Sequence, residues 1–182
     1  MSYLPCELHC HTIHSDGDFT VSELQKAAVD DHLAIIALTD HNTFSGWDEL
    51  DDNIIPAIRG IEWTTYFGHM LVLGANDFVD WRDAQPDNID EKIKQVKAVG
   101  GIVGIAHPYQ LGSPLCTGGR WEFNVRDWRN VDYIEVWHQN LYSAKRENER
   151  ALELWTSLLD KGYKIAATYG RDWHREETSG HY

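Results

Sequence analysis

Seven short apolar or β-branched runs recur along the chain, at residues 4–9, 34–39, 56–62, 69–73, 102–106, 133–137 and 165–168. Helical periodicity fills several of the gaps between them, and that alternation is the mark of an α/β sheet or barrel. Thr20 with Glu23 makes a capping-box pattern ahead of Val21, Leu24, Ala27 and Ala28, which share one helical face up to about His32. Asn88 with Glu91 repeats the device before Ile89, Ile93, Val96 and Val99, and Gly100-Gly101 supplies a helix stop. A third helix, from Ser143 to about Lys161, carries Ala151, Leu154, Trp155, Leu158 and Leu159 at helical spacing and ends at Gly162. Only residues 63–68 separate the third and fourth runs, too few for a helical crossover. Those two strands are therefore expected to pair through a tight connection that breaks the parallel pattern locally. The stretch from Leu111 to Asn130, with Gly112, Pro114, Gly118 and Gly119, reads as a long surface loop.

At 182 residues with 42% hydrophobic side chains, the sequence predicts a single domain over 1–182. A chain of this size hides about 70% of its unfolded surface, so a metal is not needed merely to hold it together. Its 16 Lys and Arg against 29 Asp and Glu give a formal charge of -13. That excess opposes an electrostatic grip on long nucleic acid, which comes from basic groups neutralising phosphates. Cys6, Cys10 and Cys116 form no CxxC pair, so neither a disulfide framework nor a thiolate zinc site is expected, and a reducing, cytoplasmic location is the simplest reading. The longest apolar run, residues 33–38, is too short to span a bilayer, and residues 1–15 lack the basic-then-apolar pattern of an export signal.

His9-Cys10-His11 places two imidazoles two residues apart, on one side of a strand, with Cys10 opposite. Asp172-Trp173-His174 repeats that spacing with a carboxylate and an imidazole after the seventh run. Asp16, His41, Glu62 and His107 lie at or after other strand ends. In a closed barrel those ends converge on one mouth, so residues from 9 to 174 can meet there. His69 begins its strand, and a tight return from Glu62 would bring that beginning beside the end of the third strand.

Taken together, His9-Cys10-His11-Thr12, Ser15-Asp16-Gly17, Thr39-Asp40-His41-Asn42, Gly60-Ile61-Glu62 with His69, Ala106-His107-Pro108 and Asp172-Trp173-His174 resemble the polymerase and histidinol phosphatase (PHP) family of metal-dependent phosphoesterases. The resemblance implies an α/β fold, a distorted seven-stranded β/α (TIM-like) barrel, with two to three divalent metal ions. It assigns His9, His11, Glu62 and Asp172 to a first metal, Glu62, His69 and His107 to a second, and Asp16, His41 and His174 to a third. His14 competes with Asp16 for that third site. Imidazole and carboxylate donors without thiolate suit Zn, Mn or Fe. The implied reaction is hydrolysis of a phosphoester, a small phosphorylated metabolite or short nucleotide, by a metal-bridging hydroxide held near Glu62.

Around this set, Asp40 is a candidate proton carrier or ligand orienter, beside Glu62 and Asp172 as catalytic candidates. Arg171 and Arg120 are candidate phosphate forks, because a guanidinium matches phosphate geometry bidentately. Tyr109 and His138 are placed to line the same mouth, His138 as a proton donor or polar contact. Trp63, Trp137 and Trp173 lie beside motif residues, with core packing the expected role. Metal-dependent amide or lactone hydrolysis and a metal-binding regulatory module without turnover are the competing functional classes. The sequence ends eight residues after His174, which leaves open a barrel lacking its C-terminal closing segment or covered there by a partner. Oligomeric state is not readable from the sequence.

Overall fold

Short β-branched runs flanked by turn residues form strands because branched side chains pack well on a pleated surface. The computed structural model describes residues 3–112, 118–138 and 144–176. The strands are β1 (Cys6–Cys10), β2 (Ile35–Leu38), β3 (Ala57–Thr65), β4 (Gly68–Leu73), β5 (Ile102–Ile105), β6 (Tyr133–His138) and β7 (Ala166–Gly170). They follow one another around a seven-stranded sheet in sequence order, curled into a nearly closed barrel. All neighbours pair in parallel except β4, which runs antiparallel to both β3 and β5. The expected hairpin thus forms, and its register sets His69 opposite Thr64, two residues beyond Glu62.

Helix α1 (Val21–Asp30) starts in a complete capping box: the Glu23 amide donates to the Thr20 hydroxyl, and the Thr20 amide donates to the Glu23 carboxylate. Its buried Val21, Leu24 and Ala28 pack with Cys10, Ile36, Leu38 and Trp173 on the outside of β1 and β2. Helices α2 (Ile89–Ala98) and α3 (Lys145–Asp160) cover β3 to β6 through Ile89, Ile93, Val96 and Leu158. A smaller cluster, including Ala37, Leu71, Leu73 and Tyr133, lies on the alternate strand face.

Two expectations need correction. Asn88 makes no side-chain cap on α2; its amide donates to the Asp83 carbonyl and its side-chain oxygen accepts from the Gln85 amide, so it closes the preceding turn instead. The stretch from Leu111 to Asn130 is more than a surface loop, because Phe123 is buried in the main core, with Trp121, Val125 and Trp128 packed against it. The start of the third helix at Ser143, together with Pro114 and Cys116, lies outside the described residues. Among those residues no helix is long and apolar enough to cross a membrane.

The barrel closes imperfectly between β1 and β7. Among the described residues backbone joins them at the mouth, where the His11 amide donates to the Trp173 carbonyl at 2.9 Å and the Trp173 amide donates to the His9 carbonyl at 3.0 Å. Deeper in the seam, Arg171 binds Glu7 at 3.0 Å and Asp31 at 2.6 Å, with its guanidinium 3.7 Å from the Trp173 ring centre. A side-chain bridge stands where a strand ladder is missing.

Inside the barrel, Gly104 faces Tyr133 so closely that a Cβ there would meet the phenol ring at 2.0 Å. Overpacking of that kind costs about 1–3 kcal/mol. Gly104→Ala is expected to lower stability by about 2 kcal/mol, read as a lower urea midpoint. An unchanged midpoint would show that the Tyr133 ring moves aside freely.

Candidate metal centre

Strand alternation sends His9 and His11 to the inside of the mouth, both fully buried, while Cys10 packs outward against α1. The Thr39 hydroxyl, accepting from the Cys10 amide and donating to its carbonyl, ties the ends of β1 and β2 together. Beyond β5 and β7 the backbone takes conformations rare for side-chain-bearing residues: φ is 24° at His107 and 52° at Asp172. Such strain persists where surrounding structure enforces it, and here it falls on two residues aimed at the cluster.

Glu62 stands at the centre. One carboxylate oxygen, Oε2, lies 3.2 Å from His9 Nε2, 3.3 Å from His11 Nε2 and 2.8 Å from His41 Nδ1. The other, Oε1, lies 2.9 Å from His69 Nδ1 and 3.2 Å from His107 Nε2. Asp172 Oδ1 completes the first group, 3.2 Å from His9 Nε2 and 3.0 Å from His11 Nε2. At the outer edge, Asp16 Oδ1 lies 3.4 Å from His41 Nε2 and 3.1 Å from His174 Nε2, and the His174 ring stacks on His11 with centroids 4.1 Å apart. Ligand-type atoms of His9, His11, Asp16, His41, Glu62, His69, His107, Asp172 and His174 thus gather into overlapping groups able to hold metal.

Spacing and orientation both fit metal ions. Two donors about 2.1 Å from one ion stand roughly 3.0 Å apart at a right angle and roughly 3.4 Å apart at a tetrahedral one. His9 Nε2, His11 Nε2, Glu62 Oε2 and Asp172 Oδ1 are buried at such distances, yet none has a hydrogen-bond partner among the described residues. Buried polar atoms left this way are costly, so a common cation is the natural occupant of the point they share.

Charge separation holds the donors in place without it. Burial would raise the Glu62 carboxyl, but His9 and His69 outweigh that and hold it well below the usual range. Asp172 is buried too, and His9 and His11 hold it low. Burial opposes charge on His11, but contacts with Asp172 and Glu62 push its pKa up to about 9.

Other candidates sit at varying distances from this centre. His14 is turned away, bound to the Ser45 hydroxyl and to Glu49, so of the two competitors only Asp16 reaches the third group. Asp40 does not reach the cluster: its carboxylate accepts from the Thr12 amide and the Thr12 and Ser15 hydroxyls, which fixes the loop after β1. Arg171 is likewise drawn off to Glu7 and Asp31 in the seam. Arg120 is exposed on a segment stitched to the mouth by the Trp121 amide on the Pro108 carbonyl and the Glu122 amide on the Phe67 carbonyl. Tyr109 lines a recess with His107 and His138, under the Arg150 guanidinium. His138 is buried with its ring 4.8 Å from His107, and burial is the main cause that lowers its pKa to about 4. Trp63 and Trp173 are core residues, and Trp137 is half-buried.

Glu135 has no place in the sequence expectations and is the main addition. From inside β6 it accepts from His9 Nδ1 at 2.9 Å and from the His107 amide at 3.0 Å. A carboxylate on the far nitrogen of an imidazole fixes its tautomer and aims the near one. Gly170 is adapted to it, since a Cβ there would lie 2.1 Å from Glu135 Oε1. The signal available in the sequence is a lone acid at an inward position of a strand whose other residues, apart from His138, are apolar or aromatic.

Two outcomes are expected. Glu135→Gln should keep the fold but weaken metal binding about 10–100-fold by competitive chelator titration; unchanged affinity would deny Glu135 its orienting role. For His11, a folded pKa of about 9 lies above the ordinary 6.5, so its stabilising charge contact is complete below pH 6.5 and lost as pH rises through 9. Metal-free protein should lose melting temperature between pH 7 and 9.5, metal-loaded protein should not, and metal addition at pH 7 should release protons into a weak buffer.

Comparison with known proteins agrees with this geometry. The PHP domain family model matches residues 7–103. An uncharacterised protein of Methanocaldococcus jannaschii is 30% identical over 110 residues, 60% of this chain and 48% of its own. A second from that organism is 29% identical over 153 residues, 75% of this chain and 85% of its own. A two-domain Bacteroides vulgatus protein containing a predicted PHP-like metal-dependent phosphoesterase superposes with a TM-score of 0.69 at 21% identity, over 94% of this chain and 52% of that one. An amidohydrolase from Chromobacterium violaceum, solved with bound sulfate and no metal, superposes with a TM-score of 0.60 at 17% identity, over 93% of this chain and 87% of that one. The chain spans about half the length of the first of these relatives and of the Bacteroides protein. With its seven-stranded barrel and its mouth of histidines and carboxylates, the chain belongs to the PHP domain family.

Proposed function

We propose that this chain hydrolyses phosphoesters of small molecules, a phosphorylated metabolite or a short nucleotide, at a site holding two to three Zn, Mn or Fe ions. The observation that supports this most directly is the division of Glu62, whose two oxygens face different sets of imidazoles. In this reading His9, His11, Glu62 and Asp172 hold one ion, Glu62, His69 and His107 a second, and Asp16, His41 and His174 a third. Bound divalent ions would supply an acidified water and neutralise charge on the phosphoryl oxygens.

The chain's own groups do the rest. Glu62, kept ionised by its histidines, keeps the donor groups in register. Asp172 presents a carboxylate at the mouth that can take a proton from the attacking water. His138 and Tyr109 border the site on the β5–β6 side, and exposed Arg120 is free to meet an anionic substrate at the rim. Three divalent ions set against Asp16, Glu62, Asp172 and Glu135 leave about +2 in the mouth. An acidic protein thereby attracts an anion locally, while its overall charge disfavours a long nucleic acid. Turnover inside the reducing cytoplasm, without a membrane partner, fits the same reading.

The test combines elemental analysis with a panel of phosphomonoesters, phosphodiesters, carboxamides and lactones offered to Zn- or Mn-loaded protein. Phosphoester turnover should appear and fall by about 10²-fold or more in Glu62→Gln, the scale on which removing a positioned catalytic group acts. Carboxamide or lactone turnover alone would assign carbonyl chemistry, as the Chromobacterium violaceum neighbour's description suggests for that protein. Stoichiometric metal without turnover would favour a regulatory module.

A further inference from the structure

The outer face of β3 carries a second concavity, separated from the metal centre by the thickness of the strand. Glu62 points into the barrel mouth, whereas Arg59, Ile61 and Trp63 alternate to the other side. Ile61 and Trp63 share the main core with α2, and beside that helix the segments around Phe44–Trp47 and Ala75–Val79 enclose a cavity of about 340 Å³. That is within the range of small-molecule sites.

Its walls are aromatic and ordered. The Phe44 and Trp47 rings meet edge to face at 4.6 Å, Phe44 lies 5.9 Å from Phe78, and Trp47 is anchored by its indole N–H donating to the Gly60 carbonyl at 2.8 Å. Phe78 remains 52% exposed at the rim, an apolar ring facing solvent beside an open cavity. Arg59 also lines it, and among the described residues its guanidinium has no ion-pair partner. Asp77 and Asn76 share the rim but make no ion pair with it; the Asp77 carboxylate accepts from the Phe78 amide, and the Asn76 amide donates to the Val99 carbonyl.

Flat aromatic walls favour a planar ring, and an unengaged guanidinium favours an anion at its edge. We infer that this cavity is a second binding site, distinct from the metal centre, for a planar aromatic molecule bearing a carboxylate, sulfonate or phosphate group. Arg59 holds the anionic group while Phe44, Trp47 and Phe78 hold the ring over a floor that includes the buried Trp63. The site uses none of the metal-ligating side chains, so it stands whether or not the proposed hydrolysis does.

The probe is 1-naphthoate, with 1-naphthalenemethanol as its neutral counterpart, titrated into Zn-loaded and into chelator-treated protein. Indole N–H resonances of Trp47 and Trp63, assigned with Trp47→Phe, report occupancy. Both protein forms should bind naphthoate equally, and Arg59→Gln and the neutral probe should each weaken binding about tenfold or more. Val79→Trp, which fills the cavity, should abolish the shifts, with thermal melts confirming that both variants fold. Binding that requires zinc and ignores Arg59→Gln would place the probe at the metal mouth and overturn the inference. So would equal affinity for the neutral probe, or no indole shift at millimolar naphthoate.

Discussion

One buried carboxylate organises this protein. Glu62 is inaccessible to solvent and would be costly to keep charged alone, yet imidazoles from β1, β4 and the ends of β2 and β5 surround both its oxygens. The barrel brings four chain segments to within hydrogen-bond range of one side chain. That convergence in turn requires the parallel strands to end, and the antiparallel β4 to begin, at the same rim.

Layers of support lie behind it. Glu135 holds His9 and the backbone of His107 from below. Asp40, with both oxygens committed to Thr12 and Ser15, fixes the loop that carries Asp16 to the outer group. Glu7 accepts from the His9 amide and pairs with Arg171, so the barrel floor is tied to the strand that carries the first two imidazoles. Several acids near the mouth therefore act through positions, while a smaller number face the shared point.

Strands and helices could be read from the sequence because local periodicity and capping chemistry record which face is buried, as Thr20 and Glu23 illustrate. The HxH and DxH pairs could be read because their spacings are short and strand ends in a barrel share a rim, whereas the full donor set and its grouping come through the family resemblance. Other features are not local. Asn88 follows a good capping pattern but closes the turn before it, since turn and cap compete for one side chain. Arg171 adjoins a ligand in sequence, yet a guanidinium's long reach lets Glu7 and Asp31 claim it. Glu135 carries no motif, and its importance lies in what is folded against it from residues 9, 107 and 170.

The seam between the first and last strands has a mechanical meaning. His9 and His11 ride on one border, Asp172 and His174 on the other, and among the described residues a single strand bridge joins the borders, supplemented by Arg171, by the Asp18 amide on the His174 carbonyl and by side-chain contacts of the cluster itself. A full ladder would lock their separation to a fixed repeat. A joint made mostly of side chains imposes no such repeat, so the spacing between the two borders is set by the particular side chains that span it.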